Sequence, residues 1–323
     1  MSRRGPLPVI TENVDAHPAV RAWCRLGTGL PLPEAVELLR GAEHKTPIAR
    51  LLRLGGGDAS VVAKLTRTSD ATIEQTVYER AARHLAARTL RCYGCVPAGG
   101  DTSWIFTEDA GGGPFSFEDE GHRRLAVDWF AALHTSVPRL ECFPDRGIGY
   151  YRSCMAAARE KILGNMGNDA LNDADRALLG TILTHFDVID RRWETIRDLD
   201  AHLPKGLIHG DLKPGNLRVR EEGGKRILLV FDWEESGWGL PGVDMWQLDS
   251  ESYWTRVRER WPGTTLEDVQ HLSCLGKLLW CLPAIGWEAE YLAFPFVRPT
   301  MDYILPVHEE QLRDALRRAE LLR

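Results

Sequence analysis

The chain has 323 residues, 44% of them hydrophobic and 27% charged, with a formal net charge of -6. That length suits one large domain or two lobes around packed cores, and the negative balance argues against nucleic acid, whose phosphates call for a basic field. No run of about 18 apolar residues marks a membrane span, and the two arginines of "MSRRGPLPVI" have no apolar stretch behind them, so no secretory signal is expected. Seven cysteines, an odd count irregularly spread, fit the reduced thiols of a cytoplasmic protein. Cys92 and Cys95 form a lone C-x-x-C without the second ligand pair a zinc site needs, so both are read as structural thiols.

Residues 1–45 read as an N-terminal extension, with a helix expected around Pro33–Arg40 ("PEAVELLR") and proline near its start. From Thr46 the pattern turns β-rich. "TPIARLLRL" and "SVVAKLTR" read as strands joined by the turn "GGGDAS", a hairpin. Asp70 is expected to cap a helix running to about Arg88, with Ile73, Val77, Ala81 and Leu85 as its apolar positions. Strands follow at Leu90–Val96 and Ser103–Thr107, which makes 46–107 a small β-rich lobe containing one helix. "EDAGGGP" (Glu108–Pro114) breaks both helix and strand and reads as a hinge.

Residues 115–323 read as a larger, mainly helical lobe. Helices are expected ending near His134, across Asp173–Leu199, near Leu266–Cys281 and at His308–Leu322. Between them lie the loop "LIHGDLKPGN" (Leu207–Asn216) and the hairpin "LRVREEGGKRILLVFDW", turning at "EEGGK".

Four pieces of this order suit phosphoryl transfer. The glycine-rich turn, with Gly56, Gly57 and Ser60, has backbone groups able to cradle phosphates, and Lys64 on the next strand can reach the α- and β-phosphates. Arginine outnumbers lysine 33 to 7, so a lysine here marks a place where a compact ammonium is needed. A glutamate on the following helix, Glu74 or Glu79, can fix that ammonium, with Glu74 favoured. In the loop, Asp211 is the candidate base for an acceptor hydroxyl, Lys213 steadies the transferring phosphate, Asn216 is a metal ligand and His209 braces the loop. Asp232, emerging from the apolar strand "LLVF", is the candidate ligand for Mg²⁺ bridging the nucleotide phosphates.

Together these residues resemble the aminoglycoside phosphotransferase and choline kinase superfamily, most specifically at "HGDLKPGN" and "FDWEESGWGLPGVD", over roughly Thr46 to Asp244. The resemblance implies an α+β, bilobal protein-kinase-like fold. It makes Asp244 a brace for the catalytic loop and places adenine at the hinge "WIFTEDAGG", which includes Glu108. Gly210 stands where protein kinases have the arginine of His-Arg-Asp, and no room remains between Asp232 and Asp244 for an activation loop. A peptide-substrate platform is therefore missing, and the acceptor is expected to be a small molecule.

The expected activity is transfer of the γ-phosphate of ATP (or GTP), with Mg²⁺, to a hydroxyl of a small molecule, antibiotic-like in the favoured reading. A metabolic kinase acting on an amino alcohol or sugar is the rival, and a non-catalytic pseudokinase the distant third. Glu234 and Glu235, just past Asp232, are candidates to pair with acceptor amines, and Trp233, Trp238 and Trp246 to cover rings or a cation.

Overall fold

The computed structural model describes residues 8–27, 29, 32–40 and 46–319. The chain divides into two compact units, one made of the residues up to Ser116 together with Lys213–Ser236, the other of Phe117–Leu212 and Gly237 onward. In chain order the first unit holds β1 (Val9–Ile10), α1 (Pro18–Arg25), β2 (Ala35–Arg40), β3 (Ile48–Leu52), β4 (Val61–Arg67), α2 (Thr68–Thr76), β5 (Cys92–Gly99), β6 (Thr102–Glu108) and β7 (Gly113–Pro114). The chain continues in the second unit with α3 (Glu120–Ser136), β8 (Asp145–Arg146), α4 (Ile148–Asn165), α5 (Asp173–Arg191), α6 (Trp193–His202) and β9 (Gly206–Ile208). It returns to the first unit for β10 (Leu217–Glu222) and β11 (Lys225–Val230), and ends in the second with β12 (Gly237–Gly239), α7 (Gly242–Met245), α8 (Ser250–Val257), α9 (Leu266–Ala289) and α10 (Leu305–Arg318).

The first unit is organised by a six-stranded sheet in the order β1-β2-β3-β4-β6-β5, antiparallel throughout. The helix expected around Pro33–Arg40 is instead β2, with Val36 opposite Leu51 and Glu37 opposite Arg50. "AVELLR" has apolar residues at helical spacing, yet Ala35 and Val36 are fully buried in the sheet, so tertiary pairing overrides the local pattern. For the same reason residues 1–45 are not a mere extension, since β1 and β2 are the first two strands of this sheet. Helix α1 begins at Pro18, a residue with no N–H to lose at that position, and buries Trp23 against Tyr93 and Phe106, with ring centroids 5.3 Å apart in both pairs.

Helix α2 starts at Thr68, two residues before the expected cap. Asp70 lies in its first turn and accepts from Arg67 Nε at 3.0 Å. The expected run to Arg88 widens at Val77–Ala81, tightens at Ala82–His84 and stops there. Segment 213–236 was expected with the helical lobe but groups with the first unit, because β10 pairs with β7 (Arg218 with Pro114, Val219 with Gly113) as well as with β11. Gly112 permits that approach. It sits at φ +68, and a Cβ there would lie 2.4 Å from the Val219 carbonyl oxygen. The hairpin turn falls at Gly223 and Gly224, both at positive φ, as a two-residue hairpin turn demands.

The second unit is mainly helical, with one small sheet in which β12 runs parallel to β8 and antiparallel to β9. The helix expected across 173–199 is two, α5 and α6, separated at Arg192. Asn172 and Asp175 form a reciprocal cap at the start of α5. Helix α9 is the core element, burying Leu272, Leu275, Leu278, Leu279, Leu282 and Ile285 among others and packing on α4, α7 and α10. No helix among the described residues is long and apolar enough to cross a membrane.

Candidate active site

In the first unit, β4 runs between β3 and β6 and sets Lys64 level with Ile48 on one side and Ile105 on the other. These three residues line a cavity of about 360 Å³, together with Val62, Glu74, Tyr78, Leu90, Thr107, the Glu108–Gly112 segment, Asn216, Phe231 and Asp232. Lys64 is only 8% exposed. Its Nζ donates to Glu74 Oε1 at 2.5 Å, to Glu234 Oε2 at 2.9 Å and to Asp232 Oδ1. Burial pulls the ammonium's pKa down, but the three carboxylates outweigh it and hold the pKa well above the usual lysine range. Burial pushes the Glu74 carboxyl up to about 7 despite Lys64, and Asp232 and Glu234 add to that rise. The structure thus pairs Lys64 with Glu74, while Glu79 is exposed and accepts from Gln75 Nε2 at 2.6 Å.

Asp232 reaches this position from a left-handed backbone, φ +71, just past the end of β11 at Val230. Such a conformation in a residue other than glycine costs of order 1–3 kcal/mol and persists where its surroundings impose it. Carboxylate oxygens of Glu74, Asp232 and Glu234 lie within 4.8 Å of one another. Three carboxylates against one ammonium leave an excess of negative charge, and an all-oxygen donor set suits a hard divalent cation. Asn216 is buried on the same cavity, its N–H donating to the Lys213 carbonyl at 3.0 Å and its carbonyl accepting from Phe231 N–H at 3.2 Å.

Other expected residues fall elsewhere. Gly56 and Gly57 are exposed, Ser60 Oγ donates to Asp109 Oδ2 at 2.8 Å, and none of the three lines the cavity. The β3–β4 turn opens at the end of β4 where Val61 faces Glu108. The cavity near Lys64 is instead bordered by Leu39, Arg40 and Ile48, the flanks of the β2–β3 connection. Reading 33–40 as a helix concealed that connection. Glu234, expected to meet an acceptor amine, turns to Lys64, and Glu235 is half-buried beside it in sequence. Trp233 is buried edge-on to Tyr78, with ring centroids 6.4 Å apart. Trp246 packs on Trp280 at 5.3 Å, and Trp238 lines a separate cavity with Phe143. Trp233 and Trp246 are therefore packing residues.

Glu108 lines the cavity and is gripped by Arg88 Nη2 at 2.7 and 2.8 Å, by Arg220 Nη2 at 3.0 Å and by the Arg91 N–H at 3.1 Å. Burial raises its carboxyl pKa, but these donors outweigh burial and bring the pKa below the usual glutamate value. Cys92 and Cys95 are free thiols on β5, both pushed up to about 12 by burial, which suits neither metal binding nor nucleophilic chemistry.

The second unit holds the loop that follows β9. Asp244, wholly buried at the start of α7, accepts the His209 N–H on Oδ2 at 2.6 Å and the Gly210 N–H on Oδ1 at 2.8 Å. Gly210 has φ +86, a conformation that glycine adopts freely and arginine does not. His209 Nδ1 accepts the Asp211 N–H at 3.2 Å, and Gln247 Nε2 donates to the Leu212 carbonyl at 2.9 Å. Asp211 itself is buried, and Lys213 is exposed.

Two supports escaped the sequence reading. His134, on the buried face of α3, bonds Asp244 Oδ2 through Nε2 at 3.1 Å and Tyr253 Oη through Nδ1 at 2.7 Å. A histidine amid the apolar stripe of α3 was the available signal; nothing local pointed to Tyr253.

The sequence over residues 48–277 matches the model of the phosphotransferase enzyme family. No curated protein sequence matches the chain. Among solved structures, a microcompartment-associated aminopropanol kinase is similar, with a TM-score of 0.60 and 15% identity over 90% of this chain and 91% of that one. So is a spectinomycin phosphotransferase in complex with ADP and spectinomycin (TM-score 0.53, 10% identity, 93% and 97% covered). A third is the GDP and kanamycin complex of an APH enzyme (TM-score 0.59, 12% identity, 91% and 98% covered). These likenesses show an α+β, protein-kinase-like fold, and the family match over most of the length shows that the chain belongs to the phosphotransferase enzyme family.

Proposed function

We propose that the protein transfers the γ-phosphate of ATP to a hydroxyl of a small molecule. The observation that carries this reading is the cavity of the first unit, where a buried lysine is held by a helix glutamate beside the carboxylate of Asp232 and the amide of Asn216. A compact ammonium so held meets phosphate oxygens without changing its own position. Asp232 and Asn216 would hold Mg²⁺, the oxygen-rich set around Lys64 being of the right chemistry. When bound, that ion supplies charge neutralisation for the phosphates.

Asp211 accepts the proton as the acceptor oxygen bonds to the γ-phosphorus and the bond from that phosphorus to the bridging oxygen breaks, releasing ADP. Lys213 steadies the transferred group. Asp244 holds the two peptide groups before Asp211, and His209 holds the Asp211 N–H.

The acceptor we favour is an antibiotic-like natural product. The short segment between Asp232 and Asp244 leaves no platform for a peptide, and the similar solved structures include antibiotic complexes. The test is ADP release with Mg²⁺ and ATP across a panel of hydroxyl compounds, paired with growth of a sensitive host expressing the gene. Protection against one antibiotic class supports the acceptor. No protection, with efficient use of an amino alcohol such as aminopropanol, moves it to a metabolic kinase; no ADP release with any acceptor removes the reading.

A further inference from the structure

We propose that Arg220 makes the cavity select adenine over guanine nucleotides, by occupying the hinge carbonyls that guanine needs. The inference rests on the nucleotide reading above and concerns which base the site accepts.

The cavity offers a planar base apolar walls in Ile48, Val62, Leu90, Ile105 and Phe231; among its polar lining residues are Arg50, Thr107 and the hinge segment Glu108 to Ala110, whose main chain is the edge at which a base would pair. Which hydrogen bonds remain open along that edge decides the base. The Glu108 N–H donates to the Arg91 carbonyl at 2.8 Å. In an antiparallel ladder the N–H and C=O of one residue point to the same neighbour. The reciprocal Arg91 N–H, however, has turned to the Glu108 carboxylate at 3.1 Å, so the Glu108 carbonyl has lost the donor opposite it. Arg220, from β10, donates through Nη1 to the Ala110 carbonyl at 3.2 Å and to the Asp109 carbonyl at 3.5 Å, while Nη2 grips Glu108 Oε1. The Gly111 N–H is closed by Asp109 Oδ1 at 3.1 Å. Among the described residues no acceptor meets the Ala110 N–H. The open pattern is one acceptor, the Glu108 carbonyl, and one donor, the Ala110 N–H.

Adenine presents the matching pair, an amino N–H donor beside the N1 acceptor. Guanine presents the reverse, the O6 acceptor beside the N1–H donor, so in the same pose both contacts become mismatches. Sliding along the edge would let O6 take the Ala110 N–H, but N1–H would then need the Ala110 carbonyl, where the Arg220 guanidinium already sits. A site of hydrogen-bonding groups rejects a ligand that leaves them unpaired far more strongly than an apolar pocket does.

The experiment is calorimetric titration of the full chain with Mg²⁺ and ADP, GDP or inosine diphosphate, which needs no acceptor. ADP should bind at least about tenfold more tightly than GDP, a difference of one mismatched contact or more. Inosine diphosphate, which shares guanine's O6 and N1–H edge but lacks its amino group, should be rejected as GDP is. Arg220→Met, checked for folding by circular dichroism, should contract the ADP-to-GDP ratio to within about threefold. Arg88→Met removes a different guanidinium from Glu108 without touching the Asp109 or Ala110 carbonyl, and should keep the ratio. A wild-type ratio near one, inosine diphosphate bound as tightly as ADP, or an unchanged ratio in folded Arg220→Met would each overturn the inference and leave the kinase reading standing. Binding of none of the three nucleotides would overturn both.

Discussion

Asp244 fastens the main chain of His209, its Oδ2 accepting the His209 N–H at 2.6 Å. The second oxygen takes the Gly210 N–H at 2.8 Å, so one buried carboxylate spans the two peptide groups that precede Asp211. Hydrogen bonds to a charged acceptor contribute about 1.5–3 kcal/mol each. The His134 contact to the same carboxylate, itself steadied by Tyr253, keeps that acceptor from turning away. The loop's shape thus depends on Asp244 and the chemistry proposed for it on Asp211, so the two are separable by mutation.

Asp211→Asn should fold as wild type, because its main-chain supports are untouched, and should bind ATP. Turnover measured by coupled ADP release should fall by about 10²–10⁴-fold, the usual cost of removing a general base. Turnover within threefold of wild type would falsify the proposed role.

Asp232→Ala and Asn216→Ala should each raise the Mg²⁺ concentration needed for half-maximal activity. Asp232→Ala should do so more severely, since a carboxylate brings charge as well as an oxygen. A magnesium titration that superimposes on wild type for either variant rejects that residue as a ligand.

Lys64→Arg keeps the charge but should lower kcat/KM for ATP by at least about tenfold. The larger planar guanidinium does not fit where an ammonium, 8% exposed, meets Glu74, Asp232 and Glu234 together. Equal kcat/KM for the two proteins would make Lys64 an ordinary strand residue.

Gly276→Ala should destabilise the protein by the upper part of the about 1–3 kcal/mol that overpacking costs. In the second unit α7 and α9 meet backbone to backbone, and a Cβ at Gly276 would lie 1.9 Å from the Gly242 carbonyl carbon. The readout is the thermal midpoint, and an unshifted Tm contradicts the packing described.

Thiol titration at pH 8 should label the exposed Cys24 and Cys142 rapidly and leave Cys92, Cys95 and Cys281 unlabelled until denaturant is added. Burial holds the last three at about 12, above the ordinary thiol value. The folded state therefore disfavours their thiolates at pH 8, to about one part in ten thousand, and unfolding restores reactivity. Fast labelling of all seven in the native protein would show the sheet around β5 to be open.

What the sequence determined by itself was local. "HGDLKPGN" keeps His209, Asp211 and Asn216 within one loop, and "EEGGK" sets its hairpin because two glycines in succession accept the positive φ of a tight turn. The strand "SVVAKLTR" placed Lys64, and the apolar run before Asp232 placed a carboxylate at a strand end. Relations that depend on pairing between distant segments were decided only by tertiary structure. "AVELLR" became β2 because a sheet position beside β3 was available to it, and the paired residues Arg40 and Ile48, not Gly56 and Gly57, border the cavity. Glu74 rather than Glu79 meets Lys64 because α2 turns that residue inward, and Glu234 joins them from 170 positions away. Tyr253 and Arg220 carry no local signal and His134 only that of a histidine amid an apolar stripe, since each acquires its role from a partner that only folding brings within 3.5 Å.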